Sequence, residues 1–124
     1  MGACGTSDGV PVLTWYTNPD AGGQERIAGQ CTEAADGAYR IEISVLPREA
    51  SSQREQLARR LAAKDSSIDL MSLDPPFIPE LAEPGFLAEV PAELAERVSE
   101  DVVEGALVGA TSVPNTKRCL RSAQ

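Results

Sequence analysis

The segment Val10-Pro-Val-Leu-Thr-Trp-Tyr16 is almost wholly apolar and rich in residues that favour strands. A run of this kind, without polar alternation, predicts a strand that is buried on both faces. Pro11 fits only near the beginning of such a strand. The segment Tyr39–Leu46 is different, because its apolar residues alternate with polar ones such as Arg40 and Glu42. This alternation predicts a strand with one wetter face, as expected at the edge of a sheet.

Helical patterns separate these strands from each other and from a third apolar run. Residues 24–35 place five small or apolar side chains on one face of a helix: Ile27, Ala28, Cys31, Ala34 and Ala35. Ser52 followed by Glu55 predicts a capping box at the start of a second helix. Glu55 and Arg59 have the spacing of an ion pair on the solvent side of that helix. The segment Ile68–Leu73 then predicts a third, largely apolar strand.

The order strand, helix, strand, helix, strand with short connections predicts an α/β fold. Such alternation implies a parallel sheet with right-handed crossovers. We expect the polar strand 39–46 at the edge and the other two inside, which gives the order second, first, third. Ligands of doubly wound sheets bind beyond the carboxyl ends of the strands, near the switch point between the first and third strands. The loops at those ends are residues 17–23, 47–50 and 74–76.

The remainder of the chain is predicted to be helical and acidic. Short helices are expected at Phe77–Ala82, Glu93–Val98 and Val102–Leu107, with Gly85 ending the first of them. Residues 80–104 carry many carboxylates and a single base, Arg97, which is typical of a solvated surface.

Composition excludes several classes of function. The chain of 124 residues has 19 acidic and 11 basic residues and a formal charge of −8, which argues against binding to nucleic acid or to anionic lipid. It contains no histidine, which removes the usual Ser-His-Asp and Cys-His nucleophile systems. Its three cysteines are far apart and lack the spacing of metal ligands. We therefore expect no metal and no cofactor.

An enzymatic role finds little support in the motifs. The carboxylates Asp69 and Asp74 are a candidate acid-base pair. Their odd spacing on one strand would point them to opposite faces, and Asp69 is better placed at the start of the strand. The chain also lacks a glycine-rich phosphate loop and the acidic cluster that a receiver domain has after its first strand. We expect a protein that is not an enzyme.

The first nine residues, 1–9, have a different character. Met1-Gly-Ala-Cys4-Gly places small residues before a cysteine, like the end of a bacterial lipobox followed by a flexible tether. No apolar signal segment precedes it. We expect Cys4 to carry a lipid anchor outside the cytoplasm if a longer precursor supplies a signal peptide. Read from Met1, the chain is expected to stay in the cytoplasm.

A specific run follows the third strand, Asp74-Pro-Pro-Phe-Ile-Pro-Glu-Leu-Ala-Glu-Pro-Gly-Phe-Leu87. It resembles family 1 extracellular solute-binding proteins of bacterial ABC sugar importers, which have an Asp, an aromatic residue three positions on, then Leu-Ala, Gly and Leu. Phe77 stands where the family often has Trp. Leu57–Ala63 resembles the family's second helix, and Ile68-Asp-Leu70 resembles its third strand. The resemblance covers about residues 10–110.

Within the family, two segments are similar to the trehalose-binding lipoproteins of actinobacterial importers. They are Thr14-Trp-Tyr-Thr-Asn-Pro-Asp20 and Leu46-Pro-Arg-Glu-Ala50. The resemblance implies a substrate-binding component for a disaccharide, most simply trehalose, that docks on the permease subunits of an ABC importer. It implies contact with a membrane only through the lipid anchor.

Sugars present pairs of neighbouring hydroxyl groups, which carboxylates, amides and guanidinium groups bind through two hydrogen bonds at once. Residues of these types lie on or next to the three loops at the strand ends. The candidate ligand-binding residues are Asp74, Asn18, Arg48, Glu49, Asp20 and Glu25. The strongest candidate is Asp74, whose alternative role is to cap the short helix that begins near Phe77. Asn18 could equally serve only the Asn-Pro turn, and Arg48 and Glu49 could be a solvated loop pair.

The resemblance ends near Thr111. Residues 10–111 correspond to part of the first of the family's two lobes, whereas residues 112–124 carry Lys117, Arg118 and Arg121 without any acid. We expect this tail to be aberrant, either disordered or out of frame, and sugar binding to be impaired because the second lobe is missing. The alternatives are a small doubly wound domain, flavodoxin-like or receiver-like, and a non-functional pseudogene product.

Overall fold

The computed structural model describes residues 9–112 and 119–120, which form two compact units. The first unit comprises residues 9–46 and 66–71. The second comprises residues 47–65 together with the described part of the chain from residue 72 onward. Within residues 9–112, no helix is both long enough and apolar enough to cross a membrane.

The first unit is a parallel sheet with one helix. It contains strand β1 (Val12–Thr17), helix α1 (Gly23–Ala34), strand β2 (Arg40–Val45) and strand β3 (Leu70–Met71). The sheet order is β2-β1-β3, and both pairings are parallel. The predicted α/β class and the predicted strand order 2-1-3 are therefore confirmed.

Strand β3 departs from its prediction in length and position. Only its two residues pair with β1, at Trp15 and Tyr16, so the expected strand Ile68–Leu73 is too long. Because the described sheet has three strands, β3 lies at its second edge and not in its interior. Asp69 explains where the pairing begins. Its Oδ2 accepts a hydrogen bond from the Thr14 N–H at 2.8 Å, and its own N–H donates to the Thr14 carbonyl at 3.2 Å.

Helix α1 contacts the sheet through a narrower stripe than predicted. Ala28 is buried, whereas Ile27 is 46% exposed, so the expected five-residue face does not pack as a whole. Thr32 makes a second kind of contact, because its Oγ1 accepts a hydrogen bond from the Ile41 N–H at 2.9 Å. The helix thereby satisfies a backbone donor of edge strand β2, and unpaired donors on such strands invite aggregation.

The second unit contains four helices and a short strand pair. The helices are α2 (Ala50–Ala62), α3 (Phe77–Ala82), α4 (Ala92–Asp101) and α5 (Glu104–Gly109). Strand β4 (Thr111–Ser112) pairs antiparallel with β5 (Cys119–Leu120), so Ser112, Cys119 and Leu120 of the expected tail have backbone partners. The rest of that tail lies outside the described residues, as does the Cys4 lipidation site.

Helix α2 begins earlier than the capping pattern predicts. Its N-cap is Glu49, which forms no side-chain cap, so the predicted capping box of Ser52 and Glu55 is wrong. Gln53 fixes the first turn instead. Its backbone N–H donates to the Glu49 carbonyl at 3.0 Å, and its buried side-chain Nε2 donates to the Pro47 carbonyl at 2.6 Å. The predicted ion pair of Glu55 and Arg59 is confirmed.

The buried apolar residues of the second unit include Leu57 of α2 and half of the residues of α3. Leu57 and Leu81 are each 1% exposed, and Ile78 is 3% exposed. Arg54 joins α2 to α3 through an ion pair with Glu80, at 2.5 Å. Gly85 ends the turn after α3 with a φ of 79°, which a residue with a side chain rarely adopts.

Candidate functional site

The loop after β1 is organised around the carboxylate of Asp20. Its Oδ1 accepts a hydrogen bond from the Gly22 N–H, and its Oδ2 accepts one from the Gln24 N–H, both at 2.9 Å. These backbone donors lie at the start of α1, which has no helical partners for its first N–H groups. Asp20 therefore closes the amino-terminal end of α1 although it precedes the helix by several positions.

The same hydrogen bonds lower the pKa of Asp20. The N–H groups of Gln24 and then Gly22 stabilise the carboxylate, and they outweigh the opposing effect of desolvation. A carboxyl group whose pKa falls on folding adds stability above its unfolded pKa and loses that contribution as the pH falls through the folded pKa.

We predict a pH-dependent stability difference between the wild-type chain and Asp20→Asn. The wild type should unfold at the higher temperature at pH 7. The difference should shrink as the pH falls below the ordinary aspartate value of about 3.9, because the wild-type carboxyl then takes up a proton. The unfolding temperatures of the wild type and of Asp20→Asn, measured from neutral to strongly acidic pH, give this difference. A difference that stays constant over this range would contradict the capping role.

Gly22 gives the loop its shape. Its φ is 91°, in the left-handed region, and it is the N-cap of α1. A side chain at this φ is strained, because Cβ approaches the following carbonyl oxygen.

Gly22→Ala should lower the free energy of unfolding by about 1–2 kcal/mol. The matched control is Gly29→Ala inside α1, where an added Cβ meets open space and where alanine favours the helix. Denaturant unfolding should show a loss for the first variant and a gain or no change for the second. Equal effects at both positions would count against the strained turn.

Two amide side chains beside this loop contain buried oxygens without hydrogen bonds. They are the Oδ1 of Asn18 and the Oε1 of Gln24. Asn18 is among the residues predicted from the sequence, whereas Gln24 is not. At the sequence level Gln24 is an ordinary polar residue at the start of a helix, and only the folded structure reveals its unsatisfied oxygen. Glu25, the next residue, is exposed in the first turn of α1.

The other predicted residues belong to the second unit. Arg48 and Glu49 are exposed before α2, and the Glu49 backbone carbonyl accepts the hydrogen bond from Gln53. Asp74 is half-buried, and its backbone carbonyl accepts a hydrogen bond from the Phe77 N–H at 2.9 Å. Helix α3 has Pro76 as its N-cap and no side-chain cap, so the alternative role of the Asp74 carboxylate as that cap is wrong.

The six predicted residues thus divide equally between the two units. Asn18, Asp20 and Glu25 lie within eight positions of one another at the carboxyl end of β1. Arg48 and Glu49 follow the end of β2 in the chain, and Asp74 follows the end of β3.

A shallow depression lies on the surface of α2, and none of the six predicted residues is among those that line it. Its volume is about 400 Å³, and its lining residues are Pro47, Ser52, Glu55, Gln56, Arg59 and Arg60. The charged groups there are already paired, Arg59 with Glu55 and Arg60 with Asp65. The depression therefore offers a ligand no uncompensated charge.

Within residues 9–112, no three Asp, Glu or Cys side chains are grouped as a metal site would need. Cys31 is a half-buried free thiol on α1. No protein-family model matches the chain. The choice of function therefore depends on the loop geometry and on the sequence resemblance.

Proposed function

We propose that this chain is the sugar-binding part, or a portion of it, of the substrate-binding component of a bacterial ABC importer. The proposed ligand is a neutral disaccharide, and trehalose is the first candidate. The intact component would deliver the sugar to membrane permease subunits.

The observation that carries the proposal is the position of Asn18. It directly follows β1, the central strand of a parallel β2-β1-β3 sheet, and its buried Oδ1 lacks a protein donor. In doubly wound sheets this is the strand end at which ligands bind, because the neighbouring crossovers leave the sheet in opposite directions there. A sugar hydroxyl is a suitable donor for such an oxygen.

The chemistry of the other candidates supports the same class of ligand. Asp20, Glu25, Glu49 and Asp74 offer carboxylates, and Arg48 offers a guanidinium group. Groups of these types bind neighbouring hydroxyls through paired hydrogen bonds. Glu25 lies in the first turn of α1, and the other four lie in loops three or four positions after a strand ends. The sequence resemblance also implies sugar contacts in these loops.

The affinity of this chain for sugar should be low. Asp20, Glu25, Arg48 and Glu49 are exposed, so hydrogen bonds to a sugar would replace hydrogen bonds to water and contribute about 1 kcal/mol or less each. The cost of immobilising the sugar opposes that gain. We therefore expect a dissociation constant for trehalose of roughly 1 mM or weaker.

Asp74→Ala should weaken trehalose binding by about fivefold, the equivalent of one hydrogen bond of about 1 kcal/mol. Asp101→Ala removes an exposed carboxylate at the end of α4 and should leave binding unchanged. Saturation-transfer NMR with trehalose measures both variants against the wild type. If both variants bind like the wild type, Asp74 is not a ligand contact.

A further inference from the structure

The turn between α1 and β2 has a left-handed backbone at its two central residues. The φ angles are 46° at Asp36 and 83° at Gly37. The Ala38 N–H donates a hydrogen bond to the Ala35 carbonyl at 2.9 Å across these two residues. Positive φ at both central positions of such a turn is characteristic of type I′. Asp36 and Gly37 are therefore the central pair of a tight, exposed turn.

The amide nitrogen of Gly37 is unengaged and accessible in this turn. The N–H of Asp36 donates to the Glu33 carbonyl at 3.2 Å, whereas the N–H of Gly37 makes no hydrogen bond with the described part of the chain. A Cβ added at Gly37 would meet no described atom within 4 Å. Among the described residues, nothing shields the Gly37 nitrogen from the carboxyl group of Asp36.

The conformation of the turn is close to the one in which these two groups can react. The Gly37 nitrogen comes to face the Asp36 side chain when the peptide group between the two residues rotates. This rotation converts a type I′ turn into a type II′ turn, in which the first central residue keeps its positive φ. Glycine at the second central position adopts either sign of φ. The reactive geometry is therefore reached within the turn, without opening α1 or β2.

We propose that Asp36 is a modification site, where aspartate converts spontaneously to isoaspartate through a cyclic succinimide. The Gly37 nitrogen bonds to the side-chain carboxyl carbon of Asp36. The amide proton and the carboxyl hydroxyl leave together as one water molecule. Water then adds to the main-chain carbonyl of the ring and breaks its bond to the Gly37 nitrogen, which leaves isoaspartate; addition to the side-chain carbonyl restores aspartate. Water is the only co-reactant, and the inference does not depend on the proposed sugar-binding function.

Other aspartates of the described structure lack this combination of features. Asp20 also precedes a small residue, but its two carboxylate oxygens accept hydrogen bonds from the N–H groups of Gly22 and Gln24. Asp101 is exposed at the end of α4, but it is followed by Val102, whose branched side chain crowds the attacking nitrogen. The structure thus favours reaction at Asp36 over reaction at these two positions.

The test incubates the full 124-residue chain at 37 °C in water labelled with heavy oxygen and then digests it with trypsin in ordinary water. Opening of the succinimide incorporates one labelled oxygen, and electron-transfer fragmentation distinguishes isoaspartate from aspartate. The tryptic peptide Ile27–Arg40 contains Asp36, no other aspartate and no asparagine. The second Asp-Gly pair of the chain, Asp8-Gly9, lies on a different peptide, so its reaction does not enter the measurement.

We expect label and isoaspartate at Asp36 in the native chain, at a rate within roughly tenfold of the rate in the urea-unfolded chain. Asp36→Glu, which retains the charge but must close a larger ring, should leave this peptide unlabelled. A native rate more than about tenfold below the unfolded rate would mean that the site reacts only after opening of the fold, and it would overturn the inference. Absence of label at Asp36, or equally fast labelling at Asp20 in the native chain, would overturn it as well.

Discussion

Leu57→Ala should lower the free energy of unfolding by about 2–5 kcal/mol. Leu57 lies in the middle of α2 and is 1% exposed, so its side chain is one of the most deeply buried in the second unit. The substitution removes buried apolar surface and leaves a cavity that the surrounding side chains fill only in part. A loss of this size is a large fraction of the stability of an ordinary domain.

The matched control for this prediction is Leu94→Ala in α4. Leu94 is 44% exposed, and α4 contains no buried residue, so the same chemical change should cost less than about 1 kcal/mol. Urea unfolding followed by circular dichroism compares the two variants. Similar losses at both positions would contradict the placement of α2 with its Leu57 side inward.

The second large effect is expected at Ala28 in the first unit. Ala28 is 3% exposed on α1, so an aspartate there would place a carboxylate out of contact with water. Burial of an unpaired charge is among the few changes that destabilise by about 3–5 kcal/mol. Ala28→Asp should therefore unfold the first unit or shift its unfolding to a much lower temperature.

Ala34→Asp provides the comparison for Ala28→Asp on the same helix. Ala34 is exposed at the end of α1, where a negative charge is only mildly unfavourable because of the helix dipole, by about 0.3–1 kcal/mol. Amide hydrogen exchange in β1 and β2 reports on the first unit directly. Equal protection in the two variants would show that α1 does not pack on the sheet through Ala28.

The sheet order could be predicted because polarity marks the edge strand. The charged residues Arg40 and Glu42 alternate along β2, whereas β1 is uncharged and mostly apolar, and the structure places β1 in the centre. The length of β3 could not be predicted in the same way. An apolar run predicts that a segment is buried. The number of its residues that pair with β1 depends instead on groups such as the Asp69 carboxylate, which accepts the hydrogen bond of the Thr14 N–H in place of a backbone carbonyl.

The prediction of helix boundaries from sequence fails for a related reason. Ser52 and Glu55 have the spacing of a capping box, yet α2 starts at Ala50. Two hydrogen bonds from Gln53, to Pro47 and Glu49, fix the earlier start, and no local pattern announces them. A hydrogen bond to the preceding loop thus accompanies an earlier helix start than a capping motif worth about 1 kcal/mol would give.

The position of the candidate site could be predicted from the sequence, but not all of its residues could. Loop position at the strand ends identifies Asn18 and Asp20, and the structure places both in the turn between β1 and α1. The cap formed by Asp20 and the unpaired oxygen of Gln24 depend on how the turn folds, and so they became visible only in three dimensions.

A residue-resolved NMR titration of the isotope-labelled chain with trehalose tests the proposed sugar-binding function most directly. We predict saturable shifts, at roughly millimolar sugar, of the amide signals of residues 18–25 in the turn between β1 and α1. The amides of exposed helix α4, Ala92–Asp101, should stay unchanged and serve as the internal reference. If no amide signal moves up to roughly 50 mM trehalose, or if all signals move equally, the chain has no specific sugar site and the account is wrong.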